Sequence, residues 1–143
     1  MRGRTVARVL VGLCAAAAIA GSAPALAQTS QTRQVMREKL VRSSQLLAAL
    51  VTSNWAALDR ESRALEAVTA RPGWDVLRSP EYGKQTSAFQ LSVQALEEAA
   101  GRRDQREALS AYNALIASCV ECHRFVARAR VASLSGPAGP AAR

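Results

Sequence analysis

Aromatic and sulfur-containing residues are scarce in this chain. Among 143 residues there are two tryptophans, two tyrosines, two phenylalanines, two methionines, three cysteines and a single histidine. β-branched runs are missing, which excludes a sheet-rich core and leaves an alanine- and leucine-rich helical chain. No apolar run reaches the roughly 20 residues needed to cross a bilayer. Paired carboxylates, a nucleophile–base pair and a phosphate-cradling glycine loop are all lacking, so hydrolytic and phosphoryl-transfer chemistry are not expected and the protein is read as a non-enzyme. The net charge is +8, yet the basic residues are scattered and the aromatics few, which argues against a nucleic-acid surface. No internal repeat divides the chain, so a single domain is expected.

The positive charge at the N-terminus has another explanation. Arg2, Arg4 and Arg8 precede an apolar run from Val9 to Ala20, and Ala25-Leu26-Ala27 has the small-x-small form of a cleavage site. Residues 1–27 read as a secretory signal that is removed, leaving a soluble protein that starts at Gln28. Cys14 would leave with it, and because Leu13 stands before it no lipid anchor is expected. Three arginines also go, so the mature chain of about 116 residues carries 16 basic and 11 acidic residues, a net +5. Its remaining cysteines are a matched pair, Cys119 and Cys122.

Four helices are predicted. The first runs from about Ser30 to Val51, with an apolar stripe of Met36, Leu40, Leu47 and Leu50 or Val51. After the break at Thr52-Ser53-Asn54, a second helix from Trp55 to about Ala70 carries Trp55, Leu58, Leu65 and Val68. So short a connection implies antiparallel neighbours. Arg71 to Ser79, with Pro72 and Gly73, is the one longer connection, and Trp74 and Leu77 are expected to fold back on the core. Ser79-Pro80-Glu81 is a helix start, and the third helix carries Tyr82, Phe89, Val93 and Leu96 to a stop at Gly101. Asp104 with Glu107 imitates a capping box that opens the fourth helix. The expected fold is an all-α, up-down-up-down four-helix bundle over residues 28–132, with a disordered tail over 133–143.

The chain's only histidine lies beside the two remaining cysteines, in Cys119-Val120-Glu121-Cys122-His123. Cys-x-x-Cys-His is the attachment signal of c-type haem. On a helix these three positions project from one side, so two thiols can form thioethers with the haem vinyl groups while the imidazole reaches the iron. Other uses fit less well. A thioredoxin-type pair wants a βαβ setting, a structural zinc site wants a fourth protein ligand, and a disulfide between cysteines three apart in a helix is strained and leaves His123 unexplained.

A signal peptide, a helical chain of this size and a Cys-x-x-Cys-His near the C-terminus resemble the class II c-type cytochromes, the cytochrome c′ group. The resemblance covers nearly all of the mature chain and implies a periplasmic four-helix bundle with one covalent haem c. His123 would be the proximal ligand. Arg33-Gln34-Val35-Met36 is similar to the family's first-helix pattern, which puts Met36 on the distal side as a second axial ligand. The resemblance then implies a carrier of single electrons between redox partner proteins. With Met36 packed in the core instead, Leu40 would cap a five-coordinate iron open to nitric oxide or carbon monoxide. The chain departs from the family after His123, where Phe125 comes two residues on and Val126 and Ala127 fill the places usual for an aromatic and a basic residue.

Tyr112, seven residues before Cys119, is a candidate for contact with the porphyrin or a propionate, or else packs in the core. Trp55 and Trp74 read as core anchors. Arg102, Arg103 and Arg106 form a basic cluster at the turn into the last helix that either faces solvent or meets an acidic partner. Neither monomer nor homodimer is preferred.

Overall fold

The computed structural model describes residues 23–135, with side chains for residues 28–133. The expected signal up to residue 22 and the end of the expected tail, residues 136–143, lie outside the described residues. Four helices and no strand are found among the described residues: α1 (Ala23–Val51), α2 (Trp55–Ala67), α3 (Pro80–Arg102) and α4 (Gln105–Ser135), with a 3₁₀ turn at Val68–Ala70 after α2. The first helix thus begins inside the segment expected to be cleaved, and the last runs past the expected start of the tail at residue 133.

Local chemistry sets the helix ends. At the first break Ser53 takes φ 52°, and Asn54 caps α2 by accepting a hydrogen bond from the Ala57 N–H at 3.1 Å. Ser79 caps α3 through the Tyr82 N–H, with Pro80 at its first position. The stop of α3 differs from the expectation. Gly101 stays helical and Arg103 takes the left-handed conformation, its N–H donating to the Ala100 carbonyl while the Asp104 N–H donates to the Ala99 carbonyl. Asp104 then caps α4 by accepting from Arg106 and Glu107 N–H groups. Glu107 does not return the bond that a full capping box requires; its carboxylate takes Arg102 instead.

Consecutive helices pack on one another, α3 against α4 most extensively, whereas α1 and α4 touch only sparsely. The core is formed by Leu58 and Leu65 on α2, by Val68 in the 3₁₀ turn that follows it, by Tyr82, Phe89, Val93 and Leu96 on α3, and by Ala108, Ala111 and Leu115 on α4. On α1 the register differs by one position from the predicted stripe. Val35, Lys39, Leu46, Ala49 and Leu50 are buried, Met36 is half-buried, and Leu40, Leu47 and Val51 are exposed. Val35 and Leu46 thus face the core, each one position before a residue of the predicted stripe, and of that stripe Leu50 is buried with them.

The connection after α2 is held against α1. Gly73 has φ +94°, and a Cβ there would meet the backbone of Gln31 and Thr32 at 2.6 Å. Only glycine satisfies both the positive φ and the close approach. Trp74 follows directly and is buried, its ring 5.1 Å from that of Phe89 and its indole N–H donating to Thr86 at 3.1 Å. Trp55, the other expected anchor, is only half-buried.

Candidate functional site

The sparse contact between α1 and α4 leaves two adjoining cavities. One, of about 160 Å³, lies toward Trp74, Val76 and Tyr82; the other, of about 110 Å³, lies toward Leu40 and Ser43. Met36 and Lys39 from α1 and His123 from α4 border both. Each cavity also receives one thiol, Cys122 in the first and Cys119 in the second. Cys119, Cys122, His123 and Met36 are therefore brought together, although Met36 lies 87 positions before His123 in sequence. Helical spacing puts positions 119 and 123 one turn apart and 122 beside them, so the motif spans the line between the cavities.

The two thiols are free. Burial pushes the Cys122 thiol above its ordinary value, while the Lys39 ammonium pulls it the other way. His123 is exposed at the mouth, where a wider cleft lined by Leu40, Val120 and Arg124 begins. Among the described residues no group of three His, Cys, Asp or Glu side chains is arranged to hold a metal ion by itself. What the arrangement offers is two alkylatable sulfurs, one imidazole and one thioether around a shared apolar space.

A third cleft, of about 630 Å³, opens at the far end of the first cavity and shares Thr32, Met36, Val76 and Arg130 with it. Arg33 from α1, Arg78 from the 71–79 connection and Arg130 from α4 line it against a single acid, Asp75. Three guanidinium groups converging from three segments suit carboxylate groups presented side by side.

Tyr112 is placed elsewhere. It is half-buried, lines none of these cavities, and donates its hydroxyl to the Ser43 carbonyl at 3.3 Å, tying α4 to α1 below the thiols. Burial raises the pKa of its phenol. Tyr82, by contrast, borders the first cavity. Its hydroxyl donates to the Trp74 carbonyl, and burial pushes its pKa up to about 12.

Lys39 is the residue that pattern reading missed. It is 7 % exposed, with its ammonium 4.5 Å from the Trp74 ring centre and 4.2 Å from that of Phe89. Among the described residues no carboxylate pairs with it. Two ring faces hold the charge instead, at the cost of a pKa lowered first by burial. Its position three residues after Met36 was the available signal: that spacing repeats along one helical face, and a lysine can bury its alkyl stem.

No protein-family model, no curated protein and no solved structure matches this chain.

Proposed function

We propose that the four helices form an antiparallel up-down-up-down bundle of the class II c-type cytochrome kind, which carries one covalent haem c and passes single electrons between redox proteins in the periplasm. The observation that carries this reading is the shared boundary of the two cavities. Each holds one cysteine of Cys-x-x-Cys-His, and both are closed by His123 from one helix and Met36 from another. That donor set fits a haem attached through two thioethers with an imidazole and a methionine sulfur available for the iron.

Cys119 and Cys122 would hold the porphyrin edge, His123 would be the proximal ligand and Met36 the distal one. Arg33, Arg78 and Arg130 would receive the propionates, whose negative charge complements theirs. When bound, the haem supplies a one-electron couple, and a methionine ligand favours its ferrous state. The chain's own contribution is apolar enclosure by Trp74, Val76, Tyr82 and Val126, which keeps water from the iron's surroundings. Export of residues 28–143 after removal of the signal completes the proposal.

A second reading has one observation in its favour. Leu40 borders the second cavity beside Met36 and His123, so an aliphatic side chain is available to cap a five-coordinate iron that binds nitric oxide or carbon monoxide.

Optical spectra of the purified protein, oxidised and reduced, with and without carbon monoxide, separate the two. A covalent c-type spectrum indifferent to carbon monoxide is expected, and Met36→Ala should then open the iron to the gas. An immediate shift of the wild-type spectrum would establish the second reading in place of the first. Absence of covalent haem from protein exported by a host with haem-attachment machinery would overturn both.

A further inference from the structure

The outward register of α1 creates a surface that the cavities do not use. Leu47 and Val51 on α1 are 46 % and 74 % exposed, and Leu109 and Ile116 on α4 are 52 % and 39 % exposed. At about 100° per residue each pair falls within about 40° of arc on its helix, so each is a stripe. Tyr112 bonds Ser43, and the Gln105 side chain donates to the Leu50 carbonyl at 2.9 Å. These bonds join the two helices just to one side of the stripes. Leu47 and Val51 therefore lie along one edge of the α1–α4 seam, and Leu109 and Ile116 along the other.

Charge separates this half of the molecule from the opposite half. Helices α1 and α4 carry eight basic and three acidic residues, a net +5, whereas α2 and α3 carry four basic and six acidic, a net −2. Near the seam Arg37, Arg103 and Arg106 are exposed, and none has an ion-pair partner among the described residues. Arg102, beside them, is already occupied by Glu98 and Glu107. The basic cluster at the α3–α4 turn thus divides into one structural arginine and two free ones that adjoin the apolar stripes.

We propose that this seam, Leu47, Val51, Leu109 and Ile116 with Arg37, Arg103 and Arg106 at its ends, docks a protein partner whose contact surface is apolar at its centre and acidic at its rim. Free guanidinium groups around desolvated aliphatics are the complement of such a surface. A second copy of the chain in a two-fold contact would set arginine against arginine. A lipid surface is a poorer match because the stripes hold no tryptophan or phenylalanine, the side chains that anchor interfacial helices. The surface stands on exposure and charge alone; the partner's role as electron donor or acceptor rests on the proposed function, since the seam leads along α4 to Cys119 and His123.

The test is an amide-shift titration of the ¹⁵N-labelled protein with an acidic [2Fe–2S] protein, kept oxidised, at low ionic strength. Shifts confined to α1 and α4 around residues 47, 51, 106, 109 and 116 are expected. Arg37→Glu with Arg106→Glu should weaken binding at least tenfold. Leu47→Ser with Ile116→Ser should weaken it about fivefold and leave its salt dependence unchanged. Lys84→Glu with Arg60→Glu, on the opposite half, should leave the affinity as it was. Shifts spread over all four helices, or equal losses in the control pair, would overturn the proposal. So would the same shifts appearing on self-association without the probe, or with vesicles of anionic phospholipid. The same map from protein that is exported by a host with haem-attachment machinery and still holds no haem would sustain the surface while overturning the electron-transfer reading.

Discussion

The seams that α3 shares with α2 and α4 are filled, and the seam between α1 and α4 is not. On the filled side Leu58, Leu65, Val93 and Leu96 are inaccessible to solvent, and an ion pair binds neighbouring helices across the surface, Arg63 on α2 with Glu97 on α3, while Asp59 on α2 holds the same guanidinium from its own helix. On the open side a lysine is buried under ring faces, two thiols and an imidazole border empty space, and arginines stand unpaired. One half of the molecule therefore supplies cohesion, and the other half brings the thiols, the imidazole and the Met36 thioether around its cavities. Hydrophobic burial and ion pairing at the second seam would close the space that a ligand needs.

That contrast can be tested by removing the same side chain from each half. Leu96→Ala, on the filled side, should cost about 3–4 kcal/mol by denaturant unfolding of the haem-free protein. Leu47→Ala, on the open side, should stay within about 0.5 kcal/mol of the wild type. Comparable losses at the two positions would mean that the open seam is closed in solution.

A smaller effect is expected where the halves are joined by charge. Arg42 on α1 reaches Glu61 on α2 at 2.8 Å, and the Glu61 side chain is only 6 % exposed. The Arg42 hydrogen bond, more than any other influence, holds the Glu61 carboxyl below its ordinary value of 4.5. Because the folded state binds its proton less readily, the contribution is complete above about pH 4.5 and disappears as pH falls through the lowered value. Glu61→Gln should cost roughly 2 kcal/mol at neutral pH and flatten that part of the acid limb, measured as urea midpoints between pH 3 and 7.

The smallest effect should have the opposite sign. Burial lowers the pKa of Lys39 from 10.5, so between the two values the unfolded chain binds more protons and stability rises with pH. Lys39→Met should stabilise the haem-free protein by roughly 1 kcal/mol at neutral pH and remove that alkaline rise. Unfolding curves from pH 7 to 11 check both, and a destabilised variant would show that the two rings hold the ammonium more favourably than water does.

Much of the helical layout was legible because end signals are local. Asn54, Ser79 with Pro80, and Asp104 each cap the helix they precede, and the face of α3 was read correctly down to Leu96. Two of the differences have clear physical causes. Gly101 resembled a stop signal, but the turn needed its left-handed residue directly before the Asp104 cap, and that place belongs to Arg103. On α1 a stripe of apolar residues alone runs through Met36, Leu40, Leu47 and Leu50 or Val51, of which Leu50 is buried and Leu40 and Leu47 are exposed; such a stripe leaves out Lys39, which takes a core position. The missing information was tertiary: the Trp74 and Phe89 rings that accept the ammonium come from a connection and a helix far along the chain. For the site, the cysteines and histidine were legible as a spacing. Met36 came from a family pattern, and the cavities now place it beside them. Tyr112 shares their helix and still turns its hydroxyl to Ser43, because helical periodicity fixes a direction and not a partner.

The contact at Gly73 also bears on how tolerance to substitution should be read. A saturation library at this position would retain essentially one letter, since any side chain collides with the backbone of α1. Met36 and His123, by comparison, could accept many residues in an assay that scores folding alone. A survey ranking positions by intolerance would therefore put a residue with no side chain above the two that border the cavities, and would draw attention to a loop whose task is to lie flat.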